Sequence, residues 1–118
     1  MTAGVMNVIE QAGEAVLLLC EDVQPEALLN SRITRAEVVR QLQMLARGLG
    51  SLDTGVRETM PELDWDAWAH VVRMLDADRP QQDEVLWFAV RSLVPATLSW
   101  LRVYRGTHRQ LFELHSAN

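Results

Sequence analysis

The chain has 118 residues, 48% of them hydrophobic and 23% charged, which is the balance of one globular domain and not of a disordered chain. A net charge of −5 disfavours indiscriminate binding to nucleic acid over the whole surface. One cysteine, Cys20, leaves no disulfide framework within the chain and points to a reducing compartment. The first residues, Met1-Thr2-Ala3-Gly4, lack a basic stretch ahead of an apolar one, so no secretory signal is expected. The longest apolar run, Ala15 to Cys20, is far too short to span a bilayer. These features together predict a soluble, cytoplasmic protein.

From about Ala3 to Val23, the residues Val5, Val8, Ile9, Ala12, Val16, Leu19 and Cys20 recur at helical spacing, with Asn7, Glu10, Gln11, Glu14 and Glu21 mostly opposite. Gln24-Pro25-Glu26 breaks this helix, because proline cannot continue a helix interior. Thr34-Arg35-Ala36-Glu37 has the form of a capping box. It predicts a second helix whose stripe is Val38, Leu42, Leu45, Leu49 and Leu52, in steps of four and three that suit a bundle seam. Gly48 and Gly50 weaken its end, and Gly50 or Gly55 is suited to a left-handed C-terminal position. Asp53 to Met60 reads as a connecting turn of helix.

A third helix is expected from about Trp65 to Leu75, capped by Asp64, with Trp65, Trp68, Val72 and Leu75 on one face and Asp66, His70 and Arg73 elsewhere. The fourth starts near Gln82. It carries one apolar strip of Val85, Ala89, Leu93, Ala96, Trp100 and Val103, and a second of Leu86, Val90, Val94, Thr97, Leu101 and Tyr104. An arc this wide calls for two neighbours, or for one neighbour and a partner subunit. Pro95 should kink or divide the helix, Gly106 should end it, and His108 to Leu114 reads as a short terminal helix. No strand pattern appears. The expectation is an all-α fold, an antiparallel up-and-down four-helix bundle forming a single domain over 1–118.

The order of these segments carries a resemblance. Pro61-Glu62-Leu63-Asp64-Trp65 is a "P-x-hydrophobic-x-W" helix entry, followed by a polar turn, by Glu84-Val85-Leu86-Trp87, and by a Leu-Val-Pro that ends at Pro95. Upstream, Ala27 to Ala36 is similar to an "F-L-x-D-x-x-T-x-x-A" entry, and Leu42-Gln43-Met44-Leu45 to an "L-x-I-I" stretch. Over roughly Met6 to Arg105 the chain resembles the HepT-like HEPN family, the toxin-side partners of MNT-type minimal nucleotidyltransferases. The resemblance implies a homodimeric bundle. In that family an arginine on the third helix and a histidine a few residues later cleave RNA without a metal. A tyrosine shortly after the histidine is the position a nucleotidyltransferase partner modifies with AMP.

This chain departs from the family at that site. Arg73 stands about where the arginine belongs, but the window after it holds Asp78, Arg79 and Pro80, with neither histidine nor tyrosine. Ala46-Arg47-Gly48 replaces the family's "G-E-A", a cation in place of a carboxylate. Two losses in one site imply that the fold is kept and the nuclease lost. The expected function is a dimeric binding and assembly partner of an MNT-type nucleotidyltransferase in a toxin–antitoxin module. The opposing reading is a ribonuclease using Arg73 with a displaced base, His70 or His115, the latter at an arginine-x5-histidine spacing from Arg109. A third is a purely structural dimer.

Other constellations read more simply. Asp64, Asp66, Asp76 and Asp78 sit where helix caps and turns want aspartate, and no histidine or cysteine joins them at ligand spacing, so no metal or other cofactor is expected. Trp65, Trp68, Trp87 and Trp100 suit core or interface positions better than a base-stacking platform. Arg102, Arg105 and Arg109 recur along one C-terminal face, and with Arg47 they are the candidate contacts to RNA or nucleotide.

Overall fold

The computed structural model describes residues 2–113, and all regular structure among them is helical. Helix α1 spans Thr2–Leu19, α2 Pro25–Asn30, α3 Arg32–Ser51, α4 Thr54–Glu58, α5 Trp65–Leu75, α6 Arg79–Phe88 and α7 Val94–Thr107. A π turn, Ala89–Leu93, joins α6 to α7, and a 3₁₀ turn, Arg109–Leu111, follows α7. No described helix is long and apolar enough to cross a membrane.

Helix α1 ends earlier than its apolar pattern suggests. Cys20 to Asp22 form a turn, and Asp22 takes the left-handed conformation with φ 57°, which aspartate tolerates better than most residues. No glycine adopts a positive φ, so neither Gly50 nor Gly55 plays the left-handed role expected of them; α3 stops instead at Leu52 in extended conformation. Proline then opens α2 at its first position, where a missing N–H costs nothing. Leu28 anchors this short helix, fully buried, and burial of one such side chain contributes about 1.5–3 kcal/mol.

The start of α3 corrects the expected capping box. Ser31 is the cap, and its Oγ accepts the Thr34 N–H at 3.2 Å. Thr34 therefore lies inside the helix. Glu37 turns outward to Arg40 and Gln41, and those hydrogen bonds, Arg40 first, hold its carboxyl down to about 2. The stripe itself is as expected: Val38, Leu42, Leu45, Leu49 and Leu52 are all buried. They pack against Met6, Ile9, Ala12 and Val16 of α1, and the α1–α3 pair is the most extensive contact between elements in the fold.

Asp53 caps α4 through the Val56 N–H, and Asp64 caps α5 through the Ala67 N–H, each at 2.9 Å. The inward face of α5 is Trp68, Val71 and Leu75; Val72, expected inside, is exposed. Helix α5 meets α3 on one side and α6 with the π turn on the other, and α7 returns against α1. The 3₁₀ turn closes over α1 and α7 with Leu111 buried.

The fourth helical pattern runs from Arg79 to Thr107, and the π turn just ahead of Pro95 separates its two α-helical segments, α6 and α7. The Val94 N–H reaches back five residues to the Ala89 carbonyl, a widened turn that makes room for the proline ring just downstream. The extra residue changes the helix phase. Before it, both apolar strips are inside: Val85, Leu86, Ala89, Val90, Leu93 and Val94 are buried. After it, only Thr97, Leu101 and Tyr104 stay buried, and Ala96, Trp100 and Val103 turn out to solvent. The pattern also begins at Arg79 and not Gln82, and it runs one residue past Gly106.

Candidate functional site

The residues singled out as catalytic lie on the outward side of α5. Arg73 is exposed and makes no hydrogen bond or ion pair among the described residues. It stands in the last turn of α5, where a cation complements the exposed carbonyls of the helix end. His70 is one turn earlier and also exposed; it borders a groove of about 370 Å³ between α5 and α6, with Met74, Gln81, Glu84, Val85 and Phe88. Arg73 does not line that groove. His115 lies outside the described residues.

The four arginines expected to contact RNA or nucleotide divide among three places. Arg47 edges an apolar groove of about 450 Å³ between α1 and α3, beside Gly4, Val5, Val8, Met44 and Gly48. Arg102 and Arg105 share the α1–α7 groove with Glu10 and Glu14, and Arg105 is ion-paired with Glu10. The Arg105 guanidinium also lies over the Phe112 ring at 4.7 Å from its centroid. Arg109, beyond α7, pairs with Glu113 at 3.5 Å. Carboxylates thus already occupy Arg105 and Arg109.

A polar cluster that the sequence pattern does not announce ties the α5–α6 turn to α2 and α3. Arg35 is only 7% exposed, an unusual setting for a charge. Its guanidinium donates to the Leu29 carbonyl at 3.2 Å and to Gln82 Oε1, and it is ion-paired with Asp83. Asp83 Oδ1 faces that cation closely but receives no well-aligned hydrogen bond. Gln82 Nε2 donates in turn to the Leu75 carbonyl, the last residue of α5, at 2.7 Å. Arg79 reaches the same Leu29 carbonyl at 2.8 Å and approaches Asp83 at 3.7 Å. Two guanidiniums therefore converge on one carbonyl and one carboxylate. The contacts join residues up to fifty positions apart, so no local signal could have found them.

Two further polar contacts organise the interior. The Trp68 indole N–H donates to the Thr97 hydroxyl at 3.0 Å, both side chains buried. The Tyr104 hydroxyl donates to the Glu62 carboxylate and accepts the Glu62 N–H at 3.2 Å. Burial, then the hydrogen bond to Glu62, pushes the Tyr104 phenol up to about 12. Of the other tryptophans, Trp65 and Trp87 are half-buried with Arg57 and Arg91 over their rings, and Trp100 stacks on Tyr104 at the surface. No group of three or more histidine, cysteine, aspartate or glutamate side chains with metal-holding geometry occurs among the described residues.

No family model, no curated protein and no solved structure matches this chain.

Proposed function

We propose that the chain is an assembly module: a HepT-like four-helix bundle that forms a homodimer and engages an MNT-type nucleotidyltransferase in a toxin–antitoxin pair, without cleaving RNA. The observation that carries this reading is the set of large apolar side chains that α6 and α7 leave exposed. Phe88 is 42% exposed, Trp100 38% and Val103 49%, a set that costs free energy in water unless something covers it. The occupant is a second copy. Separately, the α1–α7 groove carries Glu10 and Glu14 from α1 and Arg102 and Arg105 from α7. Glu10 and Arg105 pair with each other within the chain, whereas Glu14 and Arg102 make no ion pair among the described residues, and a two-fold axis can set each against its opposite on the second copy.

Loss of the nuclease is supported by the site's chemistry. RNA cleavage of the family's kind needs a cation on the phosphate and an imidazole that exchanges protons near neutrality. The turn after α5 carries Asp76 and Asp78 instead, and its one arginine, Arg79, is bonded to the Leu29 carbonyl.

Two measurements test the proposal. The mass in solution at micromolar concentration should be that of a dimer, and Val103→Asp should give the monomer with its helicity intact. Purified protein incubated with mixed single-stranded RNA should cleave no faster than Arg73→Ala. Cleavage that disappears in Arg73→Ala or His70→Ala would make the chain a ribonuclease with a displaced base, and a monomeric mass would remove the assembly reading.

A further inference from the structure

The groove bounded by α2, α3 and α6 is lined by Asn30, Arg32, Arg35, Ala36, Val39, Arg79 and Gln82. Three of the chain's eleven basic residues meet there, and no carboxylate lines the groove, although the protein as a whole is acidic. Asp83, next in sequence to the lining residue Gln82, is shared between Arg35 and Arg79. Glu37, on the next turn of α3, is committed to Arg40 and Gln41.

The three cations differ in what they have left to give. Arg35 is nearly spent, with donors on the Leu29 carbonyl, Gln82 and Asp83. Its buried contacts fix its place and make it a rigid wall. Arg79 uses one nitrogen on the Leu29 carbonyl and lies at 3.7 Å from Asp83, which leaves donors on its planar fork free. Arg32 is exposed and makes no hydrogen bond or ion pair among the described residues, so all five of its N–H groups are open. Three positive charges against one shared carboxylate leave an excess that an anion would neutralise.

We propose that this groove binds a phosphate monoester, with Arg32 and Arg79 holding the phosphate and Arg35 supplying fixed positive charge behind it. The guanidinium fork matches a phosphate edge with two parallel hydrogen bonds. The groove's volume of about 460 Å³ is much larger than a bare phosphate requires and falls within the range of small-molecule sites. Ala36 and Val39 supply an apolar surface for the body of the ester, and the exposed Asn30 amide stands at the rim. The site rests on neither the dimer nor any relation to RNA cleavage.

The test is calorimetric titration of the full chain at low salt with phenyl phosphate, inorganic phosphate and phenol. Phenyl phosphate should bind at least about tenfold more tightly than inorganic phosphate, and phenol should not bind. Arg32→Gln and Arg79→Gln, both at exposed positions, should each weaken phenyl phosphate about tenfold or more, the loss expected for one charge-assisted contact. Arg102→Gln, on the α1–α7 groove, should leave the affinity unchanged, and circular dichroism of each variant confirms that it is folded. Absence of binding by either anion at millimolar concentration would overturn the site, as would affinity that survives either arginine substitution. Equal affinity for the two anions would overturn the ester assignment and leave inorganic phosphate as the ligand.

Discussion

Gly48 of α3 sits directly against Ile9 of α1: a Cβ built on the glycine would stand 2.6 Å from Ile9 Cγ1 and 3.3 Å from its Cδ1. Ile9 is fully buried, and close-packed interiors give a side chain little room to retreat. The glycine is therefore a point of close approach between the two longest helices, not a weak spot at a helix end. Gly48→Ala should destabilise the protein by about 1–3 kcal/mol through overpacking, although alanine favours helix intrinsically. Gly50→Ala, two residues on in the same helix, meets open space and should stabilise by about 0.5 kcal/mol. Urea midpoints that move in opposite directions would bear this out. Equal shifts would mean that Ile9 repacks freely.

Trp68 and Thr97 give a second test of interior chemistry. Removing the hydroxyl with Thr97→Val keeps the shape but strands the indole N–H in a buried site. The expected loss is about 1–3 kcal/mol, the desolvation cost of an unsatisfied donor. In the Trp68→Phe background the same substitution should cost much less, because the donor is gone. A double-mutant cycle by urea denaturation measures the difference, and additive losses would show that the contact contributes nothing of its own.

The helices were legible because their apolar residues repeat at the helical period and are numerous. The α3 stripe from Val38 to Leu52 reads directly from spacing, and so does the cap at Asp64. What failed was phase. Val71 and Val72 are adjacent and equally apolar, so composition could not say which faces in, and the packing of α5 chose Val71. The π turn inserts a shift that no periodicity scan anticipates, and it sends Trp100 and Val103 outward while Thr97 and Tyr104 go in. At the start of α3 two hydroxyls three residues apart competed for the cap, and Ser31 took it where Thr34 had the better sequence signature. The Arg35 cluster was not legible at all, since Leu29, Arg35, Arg79 and Gln82 meet only through the tertiary fold.

That cluster yields the third prediction. Arg35→Met should fill the space yet leave Asp83 half-buried beside an apolar chain and Gln82 without its donor. Breaking one side of a buried pair can cost about 3–5 kcal/mol, and Asp83 keeps some access to water, so about 2–3 kcal/mol is expected. The α5–α6 turn should loosen first, because Gln82 joins Arg35 to the end of α5. Hydrogen exchange should accelerate at Ala77 to Asp83 more than in the α1–α3 pair. Uniform acceleration across the chain would show that the cluster serves overall stability and does not lock this turn.

The last prediction concerns Tyr104, the chain's single tyrosine. Its phenol is raised from an ordinary 10 to about 12 by burial and by the bond to Glu62. Folding thus favours the protonated form. The sign follows from proton counting: between pH 10 and 12 the native state holds a proton that the unfolded state has released, so stability falls as pH rises. The contribution is whole below pH 10 and gone once pH passes about 12. Tryptophan does not titrate here, so absorbance near 295 nm reports Tyr104 alone. The native protein should titrate close to 12 and the urea-unfolded chain close to 10. Tyr104→Phe should lower stability at neutral pH by about 1 kcal/mol, through loss of the hydroxyl's hydrogen bonds, and should flatten the decline between pH 10 and 12 beyond that of the parent. A native titration near 10 would mean that the hydroxyl is open to water and that its bond to Glu62 does not hold the α4–α5 loop against α7.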